Sequence, residues 1–295
     1  MALRLADQFN GAIINADSMQ VYQGVPILTA QPNADDLRKA PHRLYGVIAP
    51  SEVCSAGRWR ALAAEAVEAV WSEGRLPILV GGTGLYIRSL LDGLSPIPDI
   101  PADVRKECRA LFAELGNLAF HQLLADEDPV MAGRLDPSNS QRVVRALEVL
   151  RATGRSLADW QAEPRQGGLE AESCVVTVTP PRDALYAACD RRLEIMLEQG
   201  ALDEVRALAA LGLDPALPVM KALGVGEFAA YLRGESDLPA ALQAAQQATR
   251  NYAKRQLTWF RHQIIPDFSQ VEQFSESEYK KIFSFIREFL LTGGK

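Results

Sequence analysis

Metal-binding and cross-linking side chains are scarce in this 295-residue chain, which has three histidines and four cysteines. Cys54, Cys108, Cys174 and Cys189 form no C-x-x-C pair, and His42 and His121 have neither triad nor ligand spacing, which argues against a structural zinc site. The cysteines read as reduced, buried residues. No apolar run approaches the ~18 residues of a membrane span. No basic segment followed by a continuous hydrophobic stretch opens the chain, so neither a membrane partner nor a secretory leader is expected. Positive charge is not in excess either: the net charge is −6. That disfavours a broad nucleic-acid-binding face, but exposed charges are screened over ~8 Å, so local clusters decide. Internal repeats and low-complexity tracts are absent. What remains is 48% hydrophobic content and a mean hydropathy of −0.05. Those values suit a soluble, cytoplasmic protein with a full α/β core and a smaller second lobe.

Ala12-Ile13-Ile14, bounded by Gly11 and by polar residues, reads as a buried strand that delivers Asp17 and Ser18 to its carboxyl end. In open α/β sheets ligands bind at that edge. Ahead of it, Ala2, Leu5 and Phe9 share one face of a short amphipathic helix. Leu76–Val80 and Ser173–Val178 read as further strands, and Trp59–Trp71, Arg182–Glu198 and Ala201–Leu211 as helices. Strands alternating with helices imply a parallel sheet. Between Pro96-Ile97-Pro98 and the polar stretch 163–168 the pattern turns wholly helical, with breaks at Gly116, Asp128-Pro129 and Asp136-Pro137. The predicted organisation is the first part of an α/β core over 1–98, a helical insertion over 99–168, and the remainder of the core over 169–295. The last helix, 275–295, is expected to be peripheral with a frayed end.

Several segments carry chemistry, each beside a plainer reading. Asp17 at a strand end is a candidate proton acceptor, or a cap for the turn that follows. Gly81-Gly82-Thr83-Gly84 lies between a strand and a helix expected to start at Leu85, where backbone N–H groups can face an anion. Such glycines also occur for steric reasons alone. From Ala241 to His262 there is no acidic residue. Drawn as a helix, Arg250, Lys254, Thr258 and Arg261 share one face and Ala253, Leu257, Phe260 and Ile264 another. Arg142 and Arg145, at i, i+3 on a helix capped by Ser138 or Asn139, can hold phosphates, or Arg145 can pair with Glu148.

Asp17-Ser18-Met19-Gln20-Val21-Tyr22, Thr29-Ala30-Gln31-Pro32, Pro41-His42-Arg43-Leu44 and Val80-Gly81-Gly82-Thr83-Gly84-Leu85-Tyr86 occur in one order and spacing. They are followed by Gln141-Arg142-Val143-Val144-Arg145-Ala146-Leu147-Glu148 and Lys254-Arg255-Gln256-Leu257-Thr258-Trp259-Phe260-Arg261. In these motifs the chain resembles the tRNA dimethylallyltransferases over nearly its whole length. The resemblance implies a P-loop-NTPase-like, nucleotide-binding fold, a parallel sheet flanked by helices with a helical insertion. It also implies an opening strand and a G-x-x-x-x-G-K-[ST] phosphate loop just before the helix that begins here at Met1. This sequence contains neither, and a start assigned too far downstream is the expected reason. Gln31, where many members have lysine, and Gly224-Val225-Gly226, where a Gly-Tyr pair is usual, are smaller departures.

The implied activity moves a dimethylallyl group from dimethylallyl diphosphate to the exocyclic amine of the adenosine just 3′ of the anticodon, with Mg2+ assisting diphosphate departure. Asp17 and Thr83 are then the catalytic residues, and Gly82, Thr83 and Arg191 hold diphosphate. Asp17, Ser18, Met19, Gln20, Thr83, Arg105, Gln141, Arg142, Val143, Val144, Arg145, Lys254, Arg255 and Arg261 contact the tRNA anticodon stem-loop. Metal ligands are not identified, and a monomer is expected. Two other readings stay open at this point. One is a non-catalytic tRNA-binding relative, because the phosphate loop is absent. The other is an isopentenyltransferase acting on a free adenylate, against which the insertion and the basic segment argue, since a mononucleotide needs neither.

Overall fold

A computed structural model describes residues 1–270 and 276–292. Position 275 and positions 293–295, where the frayed end of the last helix was expected, lie outside the described residues. The chain forms two compact units, one of Met1–Leu91 with Leu169–Lys295 and one of Asp92–Gly168.

The first unit opens with α1 (Ala2–Gln8), β1 (Gly11–Asn15), α2 (Ala34–Lys39), β2 (His42–Arg43), α3 (Ala56–Ser72), β3 (Leu76–Val80) and α4 (Gly84–Leu91). The second unit contains α5 (Ala102–Glu127), α6 (Pro129–Ala132), α7 (Ser140–Thr153) and α8 (Leu157–Ala162). The chain then adds β4 (Val176–Val178), α9 (Arg182–Glu198), α10 (Ala201–Ala210), a 3-10 turn at Pro218–Lys221 and α11 (Val225–Leu232). It ends with α12 (Leu238–Gln263), β5 (Phe268–Gln270) and α13 (Glu276–Thr292).

The architecture is α/β with parallel strands flanked by helices, as the alternation of elements implies. Three strands run in the order β2-β1-β3, and β4 and β5 make a separate parallel pair. All five residues of β1 are buried, the condition of a central parallel strand with partners on both edges and helices on both faces. Its register with β3 runs from Gly11 opposite Leu76 to Asn15 opposite Val80. The two strands therefore end level. Past those ends the Ala16 N–H donates to the Val80 carbonyl at 2.8 Å and the Thr83 N–H to the Ala16 carbonyl at 3.2 Å. That pairing carries the β1 exit and the β3 exit into one turn.

Helices fix this edge from two sides. Ser55 caps α3 by accepting from the Arg58 N–H at 3.1 Å. One face of α3, Trp59, Ala63, Ala66, Val67 and Val70, is buried. Its Trp59 indole donates to the Asn15 carbonyl at 3.1 Å and stacks on Tyr86 of α4 with ring centroids 4.5 Å apart. On the other side α12 buries Ala241, Ala245, Thr249 and Ala253. These small residues at i, i+4 spacing let it pack closely on α9 and α11. The last helix is less peripheral than its charge pattern suggests, because Ile282 and Ile286 of α13 are buried in one cluster with Leu5 of α1.

The helical unit has its own core, in which Phe120 and Leu124 of α5 meet Val143, Ala146 and Leu147 of α7. The expected breaks occur. Gly116 interrupts α5 with φ +71°, Asp128 ends that helix and caps α6 by accepting from the Met131 N–H, and Asn139 precedes α7.

Candidate functional site

The site is built on the turn that leaves β1. Asn15 is fully buried, and all of its amide is used. Its Oδ1 accepts from the Asp17 N–H at 2.8 Å, while Nδ2 donates to the Asp17 and Leu44 carbonyls, both at 3.1 Å. A bond of this kind left unmade inside a protein costs about 1–3 kcal/mol, so Asn15 holds the turn in one shape. Asp17 then uses Oδ1 alone to accept from the Met19 N–H at 2.8 Å and the Gln20 N–H at 3.3 Å. Among the described residues its Oδ2 has no hydrogen-bonded partner. Capping thus occupies one oxygen of the carboxylate and leaves the other unbonded, so the two readings of Asp17 are compatible.

Thr83 is the junction between the two strand exits. Its Oγ1 accepts from the Ser18 N–H at 2.9 Å and donates to Ser18 Oγ at 3.2 Å. The glycines around it serve close packing. A Cβ on Gly81 would overlap the Ala16 carbonyl group and lie 2.7 Å from the Asp17 nitrogen. One on Gly82 would strike the Gln256 amide, and one on Gly84 the Trp259 ring. Gln256 Nε2 donates to the Gly82 carbonyl at 2.9 Å. Because the Thr83 N–H is already given to Ala16, the turn does not offer all of its amides to a ligand.

Three tyrosines surround this carboxylate electrostatically. Burial, and then the charge of Asp17, push Tyr45 up to about 12. Tyr252 of α12 is raised by burial first and by the Asp17 charge second. Tyr86 is raised mainly by burial, with its hydroxyl donating to the Cys54 carbonyl at 3.1 Å. All three are therefore protonated at neutral pH. The loop beside the site is also clamped. Gln20 Nε2 donates to the Thr29 and Ala30 carbonyls at 2.8 and 2.9 Å. Glu204 of α10 accepts from the Ile27 and Leu28 N–H groups at 2.6 and 2.9 Å, with burial raising its own carboxyl.

Of the residues singled out in the sequence, Asp17, Ser18 and Thr83 meet here, with Gly82 beside them. Met19 packs on the apolar core, and the Gln20 amide nitrogen is occupied by the neighbouring loop. Lys254, Arg255 and Arg261 are exposed on α12. Arg250, drawn on the same basic face, is instead paired with Asp190 of α9 at 2.6 Å. Arg191 is exposed on α9. On the helical unit Gln141 and Arg142 are exposed, whereas Arg145 lies 3.4 Å from Glu148. Val143 is buried in that unit's core and Val144 packs on it, so Val143 offers no side-chain surface to a ligand. Arg105 of α5 is half-buried, and its Nε has no hydrogen-bond partner among the described residues. Asn15, Tyr45, Glu204, Tyr252 and Gln256 were not picked out from the sequence. A single polar residue closing an apolar strand was the available signal for Asn15; Tyr252 and Gln256, four apart, flank the apolar stripe of their helix.

Among the described residues no three His, Cys, Asp or Glu side chains come together at metal-binding distance. The oxygen donors at the turn are the Asp17 carboxylate and the Ser18 and Thr83 hydroxyls. No described helix is long and apolar enough to cross a membrane.

A protein-family model described as IPP transferase matches residues 20–263. Over 292 residues the chain is 56% identical to a tRNA dimethylallyltransferase of Paramagnetospirillum magneticum, covering 99% of this chain and 93% of that protein. It is similar to the full-length tRNA isopentenylpyrophosphate transferase of Bacillus halodurans, with a TM-score of 0.69 and 33% identity over 97% of this chain and 90% of that one. A eukaryotic dimethylallyltransferase acting on tRNA matches with a TM-score of 0.83 at 25% identity, over 98% of this chain and 75% of that one.

Proposed function

The chain belongs to the IPP transferase family, and on that premise we propose that it transfers a dimethylallyl group from dimethylallyl diphosphate to tRNA. The acceptor is the exocyclic amine of the adenosine 3′-adjacent to the anticodon. The observation that carries the reading is the joining of the β1 and β3 exits, which sets a half-free carboxylate, Asp17, beside the Thr83–Ser18 hydroxyl pair.

The lone pair of the acceptor amine is delocalised into the purine ring, so the amine needs a strong electrophile and a proton acceptor. In the transfer a nitrogen–carbon bond forms, the carbon–oxygen bond to diphosphate breaks, and the amine proton passes to Asp17 Oδ2. Oδ1 stays on the Met19 and Gln20 amides, so the base keeps its orientation. A well-placed base of this kind contributes about 10²- to 10⁴-fold. Gly82, Thr83, the Ser18 hydroxyl and Arg191 face the leaving diphosphate. Mg2+, which keeps several waters and binds mainly through substrate phosphates, would be held on the protein side by the Ser18 and Thr83 hydroxyls. When bound it neutralises charge on the departing group. Adenosine in a loop is unstacked more cheaply than in a duplex.

Lys254, Arg255 and Arg261 on α12, and Gln141 and Arg142 on the helical unit, are assigned to the anticodon stem-loop. The protein is read as a cytoplasmic monomer. Arg142→Ala is expected to flatten the log–log salt dependence of tRNA binding by about 0.7 to 0.9. Arg145→Ala should flatten it less, because Glu148 already compensates that charge. An unchanged slope for Arg142→Ala, read by filter binding across a salt series, rules out its phosphate contact. The function itself is tested by offering unmodified tRNA and AMP together as acceptors for labelled dimethylallyl diphosphate. Label in tRNA is expected. Label mainly in AMP would move the chain to adenylate prenylation.

A further inference from the structure

The peptide that joins Gly82 to Thr83 is pinned at both poles. Its carbonyl accepts from Gln256 Nε2 at 2.9 Å, and its N–H donates to the Ala16 carbonyl at 3.2 Å. The first pin comes from α12 and the second from the exit of β1. Gln256 must present its amide nitrogen here, because a carbonyl only accepts. Gly82 makes the contact possible. A Cβ on it would strike that amide, and its φ is not in the left-handed region, so alanine is barred by Gln256 rather than by the backbone. Trp259, three residues further on and therefore on the same face of α12, lies against Gly84 in the same manner. The helix thus covers the turn on either side of Thr83 and bonds it at the Gly82 carbonyl. A peptide beside glycine turns over more readily than others. If this one turned, the Thr83 N–H would leave Ala16, and the hydroxyl would lose the setting in which it accepts from the Ser18 N–H at 2.9 Å and donates to Ser18 Oγ at 3.2 Å.

We propose that Gln256 is a positioning residue that locks the Gly82–Thr83 peptide, so that the Thr83 hydroxyl stays joined to Ser18 beside Asp17 during the transfer. The assignment rests on the transferase reading above. Gln256 acts through Thr83 and touches no reacting atom. Its helix also carries Lys254, Arg255 and Arg261, which are assigned to tRNA. One element therefore bears both the cations for the acceptor and the lock on the turn.

Gln256→Met keeps the length and the helix propensity of the side chain and removes its donor. With saturating dimethylallyl diphosphate, kcat is expected to fall about tenfold, the worth of one hydrogen bond, while KM for tRNA stays within twofold. A kcat within twofold of the parent overturns the proposal, and a raised KM with unchanged kcat would make Gln256 a tRNA-binding residue instead. A second pair of variants separates the bond from the packing. Gly82→Ala alone sets a methyl group against the Gln256 amide and should lower the thermal midpoint. Combined with Gln256→Ala the space is free, so the midpoint should recover while kcat stays at the value of Gln256→Ala. Recovery of kcat to the parent's value would show that Gln256 only fills space, and would overturn the proposal. The readout independent of turnover is hydrogen exchange at the Thr83 amide in 15N-labelled protein. Loss of one pin in Gln256→Met should speed that exchange about tenfold, and an unchanged rate also overturns the proposal. If the parent chain transfers nothing to tRNA, the transferase reading fails by itself, while the exchange rate still decides the lock.

Discussion

Asp17→Asn should lower turnover by about 10²- to 10⁴-fold while changing tRNA affinity less than threefold. Asparagine is the informative replacement because its side-chain oxygen can still accept from the Met19 and Gln20 N–H groups, the two bonds made by Asp17 Oδ1. The turn then keeps its shape, and the basic oxygen is replaced by an amide nitrogen that cannot take a proton. Asp17→Ala removes both roles together and adds the cost of a lost cap, about 1 kcal/mol. Single-turnover transfer with both substrates bound, set beside tRNA binding of the same variants, separates the two contributions. Equal losses in turnover and in binding for Asp17→Asn would identify Asp17 as a binding residue and leave the proton without its acceptor.

The second large effect is expected at Gly81. Its missing side chain is filled by the backbone of Ala16 and Asp17, so a Cβ there overlaps a peptide group with no soft neighbour to move. Gly81→Ala must either part β1 from β3 or displace the Asp17 turn. A core overpacked against flexible side chains loses typically 1–3 kcal/mol, and a clash with backbone should reach about 3 kcal/mol or more. Urea unfolding measures it. Gly226→Ala is the control, because nothing lies within 4 Å of the added Cβ and its backbone is helical in α11. That change should be neutral or stabilise by about 0.5–1 kcal/mol. Equal stability of the two variants would mean that the strand exits are not pressed together as described.

Gly81-Gly82-Thr83-Gly84 suggests an anion cradle, and its glycines also serve packing, since they admit the Ala16 backbone, the Gln256 amide and the Trp259 ring, with one of the turn's amides already bonded. Both readings of a glycine-rich turn look alike in sequence because each asks for the absence of a side chain. What occupies the space is a matter of packing. Arg250 and Arg145 give the same lesson for charge. Each sits on a basic face by helical spacing, and each meets a carboxylate, Asp190 from another helix or Glu148 one turn on.

The sequence by itself determined the elements and their order. The apolar run of β1, the strand Leu76–Val80, the helix Arg182–Glu198, the helical stretch after Pro98 and its breaks at Gly116 and Asp128-Pro129 follow from periodicity, capping and turn chemistry. Those forces act over a few residues and leave a local record. The strand end and the strand-to-helix turn that carry Asp17, Ser18 and Thr83 were legible for the same reason, and their site roles came from the family resemblance. Only the tertiary structure decided how that carboxylate and those hydroxyls are held. Gln256 reaches Gly82 from 174 positions away, and Glu204 grips the Ile27 amide from 177 positions away. Partners so distant meet because α10 and α12 bury their apolar faces on the core, a choice of neighbours that is written in no short stretch of the chain.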